Sequence, residues 1–215
     1  MGYYANQAAV RLAGKAFRKW HDLAPLCMGA AAFGVSQLLL RLPILQHVLP
    51  QFDWFLMLPY TRPVFYGLFL AVTAGLFEET ARWIGYRILG KRYRGFRDGI
   101  VFGLGHGGLE ALWVFWMIGK QVLAGAAVSP LNLAVALLER LGAVSFHVGA
   151  SVMVLLGVRQ KKIRWLFLAV ALHTLLDLCA VLVNSVWISE GIALAAGAGM
   201  LLWAFRRKRT FAVSD

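Results

Sequence analysis

The chain has 215 residues, 60% of them hydrophobic and 15% charged, with a mean hydropathy of +0.67. That is too apolar for a soluble domain, and the length accommodates about six membrane spans of roughly 20 residues each. The net charge of +12 does not point to nucleic acid, because the 22 Lys and Arg residues sit in short clusters between apolar segments, as loop charges do.

Residues 1–22 form a basic lead-in carrying Arg11, Lys15, Arg18 and Lys19, without the short apolar core of a cleavable signal. A single transmembrane domain is predicted over 23–205, and a basic tail over 206–215. The first span covers about 23–40. A loop with Pro43, Pro50 and Pro59 follows over 41–62. Its apolar centre, 52–57, is too short to cross a bilayer and is expected to lie in the interface or to re-enter. Further spans are predicted over 63–89, 98–118, 131–158, 165–183 and 187–205. The fold class is therefore all-α, a polytopic transmembrane helical bundle. Basic clusters fall before span one and after spans two, four and six, so the positive-inside bias places both termini in the cytoplasm. Trp20, Trp54, Trp165, Trp187 and Trp203 lie near span ends and read as an interfacial belt. Cys27 and Cys179 read as small buried hydrophobes rather than a disulfide.

The ionisable residues inside the spans are the exception that needs a reason, since each costs about 2.5–3.5 kcal/mol at mid-membrane. Span two carries Glu78, Glu79 and Arg82; on a helix Glu78 and Arg82 share a face, and Glu79 points elsewhere. Glu78 lies 13 residues before Lys91, His106 lies 9 after Arg97, His147 lies 12 before Arg159, and His173 lies 9 after Arg164. The fixed rise of a helix then puts these four side chains in one layer, about 13–20 Å from the basic boundary. Glu110 and Asp177 lie about one turn deeper. The predicted pairs at i,i+4 are Glu78 with Arg82, His106 with Glu110, and His173 with Asp177. Any one histidine, taken alone, also reads as a hydrogen-bond donor between helices. Glu139 beside Arg140 reads as a structural ion pair, and His21 and His47 as solvated.

The motifs Glu78-Glu79-x-x-Arg82, Phe102-x-x-x-His106 and His173-x-x-x-Asp177 carry a family resemblance. With Gly105-His106-Gly107-Gly108-x-Glu110, Phe146-His147 and Val35-Ser36-Gln37-x-x-x-Arg41-x-Pro43, the chain resembles the YhfC-like membrane peptidases over roughly residues 33–180. These sit within the broader superfamily of CAAX-processing, bacteriocin-processing and PrsW-like intramembrane proteases. The basic residue follows Glu79 by three, where the CAAX-processing branch usually has four, so prenyl-protein specificity is not transferred.

The resemblance implies a glutamic-type intramembrane endopeptidase of the bacterial plasma membrane. Its substrates would be membrane-embedded or membrane-tethered proteins or peptides, entering laterally or from the cytoplasm. Glu78 would activate water, His106 would share that water, and His173 and Asp177 would line the oxyanion side. Glu79, Arg82, Glu110 and His147 would support them. No cofactor is then expected. The alternative from the same residues is a zinc-dependent protease with Glu78, His106, His147 and His173 as ligands, although no His-Glu-x-x-His helix is present. A proton-coupled transporter would also place such groups mid-membrane, and a non-catalytic scaffold is the remaining alternative.

Overall fold

The computed structural model describes residues 23–212. The lead-in predicted over 1–22, with His21 and Trp20, lies outside the described residues. Seven helices follow one another: α1 (Leu23–Gln51), α2 (Asp53–Thr61), α3 (Pro63–Leu89), α4 (Phe96–Leu123), α5 (Pro130–Gln160), α6 (Arg164–Leu182) and α7 (Val186–Arg207). There is no strand among the described residues. All but α2 are long and apolar enough to cross a membrane, which makes six spans.

The boundaries follow local chemistry. Pro63 starts α3 and Pro130 starts α5, where a missing N–H costs nothing. Ser129 caps α5 by accepting from the Asn132 N–H at 3.1 Å. The Asp98 carboxylate accepts the Gly95 N–H at 2.9 Å and closes the start of α4. Gly90, at φ +76°, ends α3 in a conformation that L side chains rarely adopt.

The first span is longer than the sequence suggests. Arg41, Pro43 and Pro50 read as loop, yet α1 runs through them. Pro43 offers no N–H to the preceding turn, and the helix widens around it instead. The Leu42 N–H bonds to the Gln37 carbonyl and the Leu49 N–H to the Ile44 carbonyl, both five residues back. The expected interfacial stretch at 52–57 is part of α2, which packs on α3. Phe55 is buried there, with its ring against Tyr66 and Phe69 at 5.8 and 5.9 Å.

Helix α5 is the axis of the bundle. In its most apolar window 78% of residues are buried, against 17–33% in the other spans. Its second half is buried on every side, with Phe146, Val148, Ala150, Val152 and Leu155 enclosed beside His147 and Ser151. α4 and α7 pack against it, and α3 pairs with α6. Small residues set the spacing at the end of the bundle that holds the basic loops. A Cβ on Gly29 would meet the Phe102 carbonyl oxygen at 2.0 Å, and one on Gly105 the Leu26 carbonyl oxygen at 2.0 Å. α1 and α4 therefore touch backbone to backbone. Phe211, beyond α7, tucks beside Phe96 at this same end.

Gly105→Val is expected to force α1 and α4 apart and to cost about 3 kcal/mol. Gly108→Ala, where nothing lies within 4 Å, should be neutral or slightly stabilising. Thermal unfolding of the two variants in detergent checks the contrast; equal melting would refute the close approach.

Candidate active site

Adjacent carboxylates on α3 project about 100° apart on a helix and so reach different neighbours. Glu78 turns towards α1 and α4. Its Oε1 accepts from Gln37 Nε2 at 2.6 Å, and its Oε2 faces His106 Nε2 at 2.9 Å. Arg82 Nη2 and His173 Nε2 approach the same Oε2 at 3.7 and 3.8 Å. Glu79 turns towards α6, where its Oε1 lies 2.8 Å from His173 Nδ1 and also pairs with Arg82 Nη1. Glu79, Arg82 and His106 are fully buried.

His147 on α5 closes the ring. Arg82 carries only donors, so His147 Nδ1 accepts from it. His147 Nε2 then holds the proton and points at Glu110. Glu110 also accepts from Arg140 Nη1 at 2.7 Å, and Arg140 bonds Glu139 at 2.6 Å. The centroid of the His147 ring lies 5.2 Å from that of His106 and 5.4 Å from that of His173. Phe33 and Phe146 cover His106 and His173 edge-on. Asp177 is set apart from this ring, with its Oδ2 3.8 Å from His173 Nε2.

All eight residues singled out from the sequence therefore fall in one neighbourhood, but one of the expected i,i+4 pairings is different. Arg82 does pair with Glu78 at 3.7 Å, and it bonds Glu79 more closely at i,i+3. His106 reaches Glu78 on α3, while Glu110 meets His147 and Arg140 on α5. Tertiary partners outcompete i,i+4 neighbours because each helix turns its polar face inward. Glu139 and Arg140 do pair, with Glu110 as a third member. His47 lies on an exposed stretch of α1.

Gln37 and Arg41 were quoted in the resemblance without a role. Arg41 donates to Gln37 Oε1 at 3.0 Å, to the Leu70 carbonyl at 2.7 Å and to Thr73 Oγ1 at 3.1 Å. By holding the Gln37 carbonyl oxygen, it leaves the amide nitrogen to donate to Glu78. The signal available in the sequence was two polar residues four apart inside an apolar segment.

A cavity of about 400 Å³ reaches Glu78, His147, His173 and Asp177. Its walls continue along Arg41, Leu42, Ala71, Glu139 and Glu190. From the site it follows α1 and α6 towards their C-termini, and α3, α5 and α7 towards their N-termini. It thus leads away from the basic loops.

One ligand atom each from Glu78, His147 and His173 lie within 4.8 Å of one another. Two imidazoles and a carboxylate, with room beside them, suit a catalytic zinc that keeps one position open. The Glu79 carboxylate behind His173 Nδ1 is the backing that metal-bound histidines usually have, and it leaves Nε2 free to ligate. His147 would have to release Arg82 or Glu110 to take part. The residues fit the ion, and the expectation of no cofactor finds no support in this donor set.

The family model of the YhfC intramembrane metalloprotease matches residues 15–129 and 117–198. The chain belongs to that family. It is also 26% identical over 184 residues to an uncharacterized membrane protein, YhfC, of Bacillus subtilis (strain 168), covering 70% of this chain and 71% of that protein. The family's description, with six apolar spans, makes the chain an integral membrane protein and an intramembrane protease.

Arg82→Met leaves the buried Glu79 carboxylate without its cation and is expected to cost about 3–5 kcal/mol. Arg82→Lys should recover little, because Arg82 meets Glu79 and His147 through two separate nitrogens of a planar fork that lysine lacks. Detergent unfolding curves for the pair decide it, and a Lys variant as stable as the parent would contradict this geometry.

Proposed function

We propose that the protein is a metal-assisted intramembrane endopeptidase acting on membrane-embedded or membrane-tethered polypeptides. Glu78, His147 and His173 would hold the ion. The observation that carries the reading is the convergence of these donors from α3, α5 and α6 on the wall of the 400 Å³ cavity. Zinc held there would supply Lewis acidity to a water molecule and to the scissile carbonyl.

The chain's own residues supply the rest. Glu79 fixes His173 by holding its Nδ1–H, and Arg82 fixes Glu79 in turn. Gln37 holds one oxygen of Glu78, so that the other faces the histidines. His106 has its Nε2 against Glu78 and no partner at Nδ1. Fully buried behind Glu78 and off the cavity wall, it would relay a proton through Glu78 rather than meet the substrate itself. Asp177, on the cavity wall beside His173, orients that ring or the incoming peptide. The enclosure of the site by Phe33 and Phe146 strengthens each of these interactions by lowering the local dielectric.

A second reading draws on one specific contact. The direct 2.9 Å approach of His106 to Glu78 is a carboxylate–imidazole pair that can activate water without a metal. In that glutamic-type reading Glu78 is the base, and His173 with Asp177 stabilises the oxyanion.

Elemental analysis of detergent-purified protein separates the two. About one zinc per chain is expected, with loss in His173→Ala and in Glu78→Gln. Folded protein free of metal, with His173→Ala no different from the parent, would reject the metal-assisted reading and leave the Glu78–His106 pair. Under either mechanism Glu78→Gln should lower cleavage of a membrane substrate by at least about 100-fold.

A further inference from the structure

The two ends of the bundle are built differently. Towards the end holding Lys91, Arg92, Arg159, Lys161, Lys162 and Arg206, α4 and α5 close on one another below the site, while an apolar cavity of about 410 Å³ lies between α1 and α3. A Cβ on Gly103 would meet Val148 Cα at 2.5 Å, and one on Gly99 would meet Val152 Cγ2 at 3.0 Å. Between the carboxylates and those loops lie Arg82, Tyr86, Phe102, Val152 and Leu155, each with at most 0% of its surface exposed. Tyr86 stacks on Phe102 with ring centroids 4.3 Å apart.

The opposite end is loose. α4 buries residues from Asp98 to Gly107 and none beyond. α5 buries nothing before Arg140. The cavity occupies the space this leaves, from Glu78 and His173 out to Glu139, Ser189 and Glu190. The exposed bases near that end are Arg62 and Lys120, while Arg41 and Arg140 belong to the cavity wall. The contrast in Lys and Arg between the ends sets the orientation: the dense end faces the cytoplasm and the sparse end faces outward.

We propose that the site is reached by water and by polypeptide from the non-cytoplasmic face, through the cavity that α1, α3, α4, α5, α6 and α7 line. The inference deepens the protease reading and rests on it for the word substrate. The substrate class is a polypeptide that presents an extended segment at the outer leaflet, such as the outward flank of a membrane-anchored chain or a translocated peptide. A cytoplasmic tail fits less well, because Arg82, Tyr86, Phe102, Val152 and Leu155 stand between it and Glu78. The cavity suits an extended strand of a few residues with small or aliphatic side chains, since Ala71, Ala74, Ala143, Ala180 and Val181 line it beside the charged groups.

Cysteine accessibility tests this without any need for proteolysis, so it succeeds or fails independently of the enzymatic reading. Cys27 and Cys179 are first replaced by Ala. Single cysteines are then placed in the cavity (Ala74→Cys, Ala143→Cys) and in the basic loops (Arg92→Cys, Lys161→Cys). Intact cells and inside-out vesicles are treated with a charged, membrane-impermeant methanethiosulfonate, and size-exclusion profiles confirm folding. The expected result is labelling of Ala74→Cys and Ala143→Cys in intact cells, with Arg92→Cys and Lys161→Cys labelled only in inside-out vesicles. Cavity cysteines labelled only in inside-out vesicles, or in neither preparation, would overturn the proposal. So would loop cysteines labelled in intact cells, because the cavity would then face the cytoplasm.

Discussion

The pairing of Glu79 with Arg82, both without exposed surface in the middle of an apolar bundle, is the constraint on which the site depends. A lone charge there would be costly enough to unfold the chain or to neutralise. The two groups persist because each is shared. Glu79 also takes the His173 Nδ1–H, and Arg82 also donates to His147 and stands near Glu78. One ion pair on α3 thereby fixes two histidines from two other helices. Unlike a surface pair, it has no water to compete for its hydrogen bonds, so its geometry is rigid.

That rigidity has a packing counterpart. The same helices that deliver the charges are glycine-rich just where they must come close. Gly103 and Gly107 on α4 let α5 approach, so His106 and His147 can lie against each other. A larger residue at Gly107 would meet the His147 ring carbon at 3.2 Å. Glycine is a poor helix former in water, but a bilayer enforces the helix, and the spare propensity is exchanged for contact. The cost of burying polar groups and the use of small residues are thus one design, concentrated in the basic half of the bundle.

Much of this was legible from the chain alone, and the reasons are physical. Five of the six spans were placed to within a few residues because a bilayer demands about 20 apolar residues. The shared depth of Glu78, His106, His147 and His173 was readable because rise per residue is fixed in a helix. Lateral partners were not readable, since the angle at which each helix faces its neighbours comes from packing. This is why Glu110 was assigned to His106 when it meets His147 and Arg140. The first span was cut short because Arg41 reads as a loop charge. Only the fold reveals that Gln37, Thr73 and the Leu70 carbonyl satisfy it within the bundle.

Arg41 also shows how the site obtains a boundary on its cavity side. It sits on the cavity wall, bound to α3 through Leu70 and Thr73 and to its own helix through Gln37. The cation is thereby fixed between the open half of the bundle and Glu78, with Gln37 as the link to the carboxylate. The wide turns of α1 begin at Gly34, just before Gln37, and carry the chain through Arg41. Such turns are common where a helix must aim side chains away from the ideal register. A helix ending at residue 40, as its hydropathy suggests, would keep the Gln37 amide that holds Glu78 but lose Arg41, the cation that orients it. The departure from regular geometry in α1 and the order of the site on α3 are therefore two sides of the same contact.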